Sequence, residues 1–252
     1  MIQTIFEENG IASLTMLDAR NGNTFHPAFL NRLQAELELI RVKEPKVLLL
    51  QGTPEVFSAG ACRRNLLNLC EGKVAVRDLT LSEQILNLPC PVIAAMEGHA
   101  VGGGLMLALC CDIVIAAKES RYGATFLSLG FTPGMGCTAL LADLVGPYLA
   151  AEMMFTARTY RGSELSLRQT NINYIVARQE VVGLARNLAT QMVEKEKIAM
   201  QLLKGALASR KKKLLAEAQQ QEDRMHRICF ACPSTRDWVE RNYLQTEDED
   251  TP

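Results

Sequence analysis

Pro91-Val92-Ile93-Ala94-Ala95-Met96-Glu97-Gly98-His99-Ala100-Val101-Gly102-Gly103-Gly104-Leu105 is the stretch on which the fold turns. Its first six residues form a short apolar run closed by glycine, the pattern of a buried strand. The glycines then turn the chain, and apolar residues continue through Leu109 as a helix. A strand that runs through a small-residue turn into a helix leaves backbone N–H groups unpaired at the helix start. Such groups suit a negative oxygen.

A second stretch has the same build. Val47 to Leu50 is a buried strand, and Phe57-Ser58-Ala59-Gly60-Ala61-Cys62 follows as a small-residue turn. Two such turns side by side make an oxyanion hole, in which one donor is worth about 2.7–4 kcal/mol of transition-state stabilisation. Other glycine chemistries are excluded. The G-x-G-x-x-G spacing of a dinucleotide turn is not met, and no Gly-Lys-Ser or Gly-Lys-Thr marks a P-loop. The plainer alternative is that Gly102 to Gly104 only allow tight helix–strand packing.

Outward from these turns the chain reads as α/β. Asn9-Gly10 between two apolar runs is a hairpin signal. Pro27 opens a helix carrying the stripe Leu30, Leu33, Leu37 and Ile40. Asp112 to Ala116 is a further strand, and Asn173 to Val176 a short last one. Strands separated by helices imply a largely covered sheet. From about Arg178 the sequence is rich in helix formers, with Ser234 as a candidate cap for a last short helix. We expect a core over residues 1–190 and a helical C-terminal region over 191–252, ending in the acidic tail Glu247 to Asp250.

Composition narrows the function. Twenty-seven basic and 28 acidic residues leave a net charge of −1, so nothing global draws the chain to nucleic acid or an anionic membrane. No apolar run reaches the ~18 residues of a membrane span, and Met1 to Glu8 lacks the basic start of a signal peptide. A cytoplasmic location with reduced thiols is expected for the eight scattered cysteines. Cys229 and Cys232 form an isolated CxxC, read as two residues at a helix end rather than a redox or metal site. No metal site is expected.

The two glycine turns, Cys111 to Ala116, and Gly130-Phe131-Thr132-Pro133-Gly134-Met135-Gly136 together resemble the enoyl-CoA hydratase/isomerase (crotonase) superfamily. The resemblance runs from residue 1 to about 245. It implies a spiral of repeated ββα units and a C-terminal helical part that builds trimers and covers the active site. It also implies a thioester carbonyl held by the N–H groups of Ala61 and Gly103, with no cofactor beyond the phosphopantetheine or CoA that carries the substrate.

The departures are informative. The resemblance places the hydratase glutamates at Met106 and Phe126. Neither side chain moves a proton, so hydration is not expected. Phe131 to Gly136 and the Met225-His226 context, followed by Phe230, resemble the decarboxylating branch of polyketide β-branching cassettes. That likeness implies loss of carbon dioxide from a 3-methylglutaconyl group on an acyl carrier protein. Met106, Phe126 and Gly134 would line the pocket, and His226 would act on the substrate. The branch's lysine falls near Ala75, flanked by Lys73 and Arg77, and Lys73 is the candidate replacement. Arg63 and Arg64 are candidates for the pantetheine phosphate. The run Arg210 to Lys213 is either a solvated face or a steering patch for the carrier. A crotonase-type enzyme of CoA esters and a scaffold without chemistry are the competing readings.

Overall fold

The computed structural model describes residues 1–76 and 79–243. Arg77 and the acidic tail lie outside the described residues.

Gly10, at φ +94°, turns β1 (Ile2–Phe6) back on β2 (Ile11–Met16) as an antiparallel hairpin. Helix α1 (Pro27–Lys43) starts at proline and buries Phe29, Leu33, Leu37 and Ile40, with Leu30 at the edge of the stripe. His26, the residue before the proline, caps this helix. Its Nδ1 accepts the Phe29 N–H at 3.3 Å, and its Nε2 meets Asp18 at 2.8 Å.

Three turns of a spiral follow. The first is β3 (Val47–Gln51), β4 (Val56–Ser58), α2 (Arg63–Cys70) and α3 (Leu81–Leu86). The second is β5 (Val92–Met96), β6 (His99–Val101) and α4 (Gly103–Leu109). The third is β7 (Ile113–Ala117), β8 (Arg121–Gly123), a 3-10 turn (Thr125–Leu129) and α5 (Cys137–Val145). The remaining elements are α6 (Pro147–Thr156), β9 (Tyr160–Arg161), α7 (Gly162–Leu167), β10 (Tyr174–Val176), α8 (Val181–Val193), α9 (Lys197–Ala231) and α10 (Pro233–Asn242).

Each turn gives its first strand to a six-stranded sheet, ordered β1-β2-β3-β5-β7-β10, and its second to a four-stranded sheet, ordered β4-β6-β8-β9. All pairings beyond β1/β2 and β8/β9 are parallel. This is the expected spiral of ββα units. Both faces of the large sheet are covered, which is why its strands read as unbroken apolar runs. Alternate residues Leu48, Leu50, Val92 and Ala94 face the main core. Val47, Leu49, Ile93 and Ala95 face Val181, Ala185 and Ala189 of α8. The expected border at 190/191 falls inside this helix.

Helix α9 is fixed to the spiral by charge. Lys204 is buried and pairs with Asp112 at 2.7 Å, while Asp112 also accepts the Val92 N–H. Lys211 donates to the carbonyls of Leu109 and Cys111 at 2.8 and 2.7 Å, a cation at the C-terminus of α4. Arg210 pairs with Asp143 at 3.0 Å. Half of the basic run therefore serves packing. Helix α10 starts at Pro233 with Cys232 as its N-cap residue, not at Ser234. Proline suits that first position because its missing N–H has no intrahelical partner to lose.

All eight cysteines are free. Burial pushes the Cys110 thiol up to about 11 and Cys90 up to about 12. Exposed Cys232 is held below the usual thiol range by the Ser234 hydroxyl. Among the described residues no cluster could hold a metal ion, and no helix is long and apolar enough to cross a membrane.

Two outcomes follow. Lys204→Ala strands the Asp112 carboxylate and should cost about 3 kcal/mol, the low end for a broken buried pair, read from denaturant midpoints. A thiol-labelling time course should show one fast site, absent in Cys232→Ser. Its rate should reach half-maximum below the pH of an ordinary thiol, because a depressed pKa keeps thiolate present at lower pH.

Candidate active site

The two small-residue turns meet. Gly60 has φ +79°, and a Cβ there would lie 2.7 Å from the Gly103 nitrogen and 3.1 Å from the Gly104 nitrogen. Gly104 is pressed so closely on β4 that a Cβ would lie 2.0 Å from the Ser58 carbonyl oxygen. Gly103 is the first residue of α4, so its N–H has no intrahelical acceptor. Among the described residues no acceptor faces the Ala61 N–H either. The two predicted donors thus stand together at the wall of one pocket, which both residues line.

The first turn is held from behind by Asn23. This side chain is fully buried at φ +49°. Its amide nitrogen donates to the carbonyls of Met16, Val56 and Phe57 at 3.3, 3.1 and 3.1 Å, and its oxygen accepts the Asp18 N–H at 2.7 Å. The Ser58 hydroxyl donates to the Asn23 carbonyl at 2.8 Å. On the other side, the Tyr243 hydroxyl donates to the Ala61 carbonyl at 2.9 Å, so the end of α10 closes over the turn. The sequence marks Asn23 only as part of a polar turn, and nothing in it points to Tyr243.

The pocket holds about 600 Å³ of empty space, mouth included. Its walls are apolar: Phe25, Leu66, Leu69, Leu129 and Phe131 among others. Phe126 is in the wall, edge-on to Phe131 at 6.0 Å and 78°. Gly134 is there as well, so close to His226 that a Cβ would lie 2.9 Å from the ring Cε1. His226 is 5% exposed, and its Nε2 is 3.0 Å from the Thr132 carbonyl. A carbonyl only accepts, so Nε2 carries the proton in this contact. The ring also leans on Phe230 at 5.6 Å.

Two expected residues lie elsewhere. Met106 is fully buried in the main core and does not line the pocket. Helix α4 is buried along its whole length, so a residue one turn in packs against the core. Lys73 is exposed and pairs with Glu71 at 2.6 Å. Its neighbours Gly72 and Val74 to Val76 line an adjoining cavity that shares His226, Leu69 and Val76 with the pocket. Arg63, in the first turn of α2, has a buried Nε with no partner among the described residues, and Arg64 beside it is exposed. His99 supports the backbone, its Nδ1 accepting the Arg121 N–H at 2.9 Å.

One apolar pocket is thus lined by Ala61, Gly103 and the His226 imidazole together. The enoyl-CoA hydratase/isomerase family model matches residues 6–247, and the chain belongs to that family. Among its relatives is PksI, the bacillaene synthase decarboxylase of Bacillus subtilis, 34% identical over 231 residues, 91% of this chain and 92% of that one. The short-chain-enoyl-CoA hydratase of Clostridium acetobutylicum is 34% identical over 174 residues, 68% of this chain and 66% of that one. A solved structure from work on a dehydratase/decarboxylase enzyme couple of polyketide β-branching has a TM-score of 0.93 at 32% identity, covering 97% of this chain and 99% of that one. The decarboxylase domain of CurF from Lyngbya majuscula has a TM-score of 0.89 at 32% identity, covering 96% and 99%.

Asn23→Ala should withdraw the amide donor shared by the Met16, Val56 and Phe57 carbonyls and loosen the first turn. We expect a loss of roughly 2–3 kcal/mol in denaturant unfolding, an unsatisfied-group penalty. A change under half of the lower figure would mean that the turn holds itself.

Proposed function

We propose that this chain removes carbon dioxide from a 3-methylglutaconyl-type thioester on an acyl carrier protein, giving a 3-methylcrotonyl-type thioester in polyketide β-branching. One observation carries the reading: Ala61 and Gly103, whose N–H groups have no acceptor among the described residues, line an apolar pocket together with His226 and with Phe126, where the resemblance places a glutamate. Its likeness in sequence and fold to β-branching decarboxylases supports the same chemistry.

Breaking the bond to the carboxyl carbon leaves its electron pair on the substrate. Conjugation through the double bond moves that charge to the thioester oxygen. The N–H groups of Ala61 and Gly103 would stabilise it, more strongly in a dry pocket. Protonation at carbon then gives the product. His226 suits the proton transfer or the holding of the carboxylate, since imidazole both donates and accepts protons. Lys73 is assigned the carboxylate, and the reading requires it to exchange Glu71 for substrate.

The carrier is assigned to the rim. Arg63, with its unpartnered buried nitrogen, and Arg64 would meet the phosphopantetheine phosphate. A homotrimer is proposed as well. Ile198, Leu202, Leu203 and Leu207 leave an apolar stripe exposed on α9, which is the composition of a surface covered by another copy.

The test is mass spectrometry of a 3-methylglutaconyl carrier protein and the matching CoA ester. Wild type should remove one carbon dioxide from the carrier-bound form faster than from the CoA ester. His226→Ala and Lys73→Ala should each slow the loss by about 10²-fold or more, the scale of a lost proton-transfer group. Replacing Arg63 and Arg64 together should raise KM with kcat kept. Faster turnover of the CoA ester would redirect the carrier assignment. No loss from either substrate by folded protein would leave a scaffold.

A further inference from the structure

Helix α9 holds the segment Thr132 to Thr138 at two points one helical turn apart. His226 takes the Thr132 carbonyl, and Glu222 takes the other end. Glu222 is 2% exposed. Its Oε2 accepts the Gly136 N–H at 2.8 Å, and its Oε1 accepts the Thr138 N–H at 3.0 Å and the Thr138 hydroxyl at 2.8 Å. Three donors converge on one buried carboxylate at the start of α5, where a negative charge is favoured.

This cap must come from outside the segment. The N-cap position of α5 is Gly136, at φ +85°. A Cβ there would crowd the end of the Leu215 side chain at 2.5 Å, and the left-handed φ strains any residue but glycine, so a capping side chain at that position is disfavoured. Met135 precedes it at φ +61°. Two consecutive left-handed residues are a conformation that needs outside support. The same segment carries Gly134, which lies 2.9 Å from the ring of His226 when given a Cβ. The floor under the imidazole is thus set by a carboxylate four residues earlier on the helix that carries it.

We propose that Glu222 is a positioning residue: by capping α5 it fixes Gly134 and the Thr132 carbonyl, and so sets the place of the His226 ring in the pocket. This rests on the decarboxylase reading only for its kinetic arm. Glu222 touches no substrate in this account, and its effect passes through His226.

Glu222→Gln keeps the shape and replaces one acceptor oxygen with an NH2 that must face either the Gly136 N–H or, in the flipped amide, the Thr138 N–H and hydroxyl. The expected result is a kcat loss of about ten- to a hundredfold, the cost of a misplaced group, with KM unchanged. The deciding measurement is the same substitution in the His226→Ala background, where it should cost no further activity. Equal losses in both backgrounds, or full kcat in the single variant, would overturn the proposal, because a structural prop acts regardless of His226. The ring Hε1 resonance of His226, set by the Phe230 face, should also shift in Glu222→Gln. An unmoved resonance sinks the idea even if the reaction proves to be another one. Should Glu222→Gln not fold, Thr138→Val removes a single contact and runs through the same cycle and the same resonance test.

Discussion

The approach of one backbone to another at Gly60, Gly103 and Gly104 is the constraint on which the rest of the molecule is built. The Ser58 carbonyl sits where a side chain of Gly104 would begin, and the Gly103 nitrogen where one of Gly60 would begin. Any Cβ would drive the two turns apart and take the N–H pair with them. The glycines have a further consequence. Neither Gly102, at the cap position of α4, nor Gly103 offers a side-chain acceptor, so the N–H groups at the start of the helix keep no internal partner. Close packing and an unsatisfied donor pair are therefore the same feature seen twice.

The surrounding polar residues make sense as supports for that contact. Asn23 ties the strand end and the neighbouring loop to one amide. Tyr243 reaches back from the last helix to the Ala61 carbonyl. Lys211 and Lys204 fix α9 to the far end of α4 and to the start of the next strand. The same helix α9 that is anchored at the far end of α4 brings His226 into the lining of the pocket. Bonds of this kind contribute about 1 kcal/mol each in stability. Their value to the site lies in geometry, since the donors must face an oxygen within about 0.5 Å of its place.

Much of the fold was legible in the sequence. The hairpin at Asn9-Gly10, the helix opened by Pro27 and the strands at Val47 and Val92 each carry a local signal that tertiary contacts reinforce. Strands β4, β6 and β8 were expected only through the resemblance and carry no local signal, because three residues are too few to show a period. At the site, Ala61, Gly103, Phe126, Gly134 and His226 line one pocket. Met106 does not line the pocket, because a residue's depth along a fully buried helix has no mark in composition. Lys73 pairs with Glu71 instead of facing the pocket, and two residues of loop decide that choice. The supports were hidden for a different reason. Asn23 is one polar residue in a polar turn, Glu222 one acid in a helix full of acids and bases, and the basic run around Lys211 has the composition of a solvated face. Only their long-range partners distinguish them.

Met106 and Phe126, standing where the resemblance places two glutamates, argue more strongly for a particular chemistry than against activity. A scaffold that had lost its reaction would have no reason to keep unpaired N–H donors beside an apolar pocket, since unsatisfied N–H groups at such a surface are costly. Nor would it keep Gly134 bare beneath an imidazole. Hydration needs a base to activate water and an acid to deliver its proton, and the pocket walled by Phe126, Phe131 and Leu129 has no carboxylate among its described lining residues. Decarboxylation inverts those needs. The nucleophilic electrons arrive from the substrate's own bond, water competes with the N–H donors for the developing charge, and a single proton suffices at the end. A dry pocket, two donors and one histidine meet that smaller requirement, and the residues lost from the hydratase pattern are those the simpler reaction does not use.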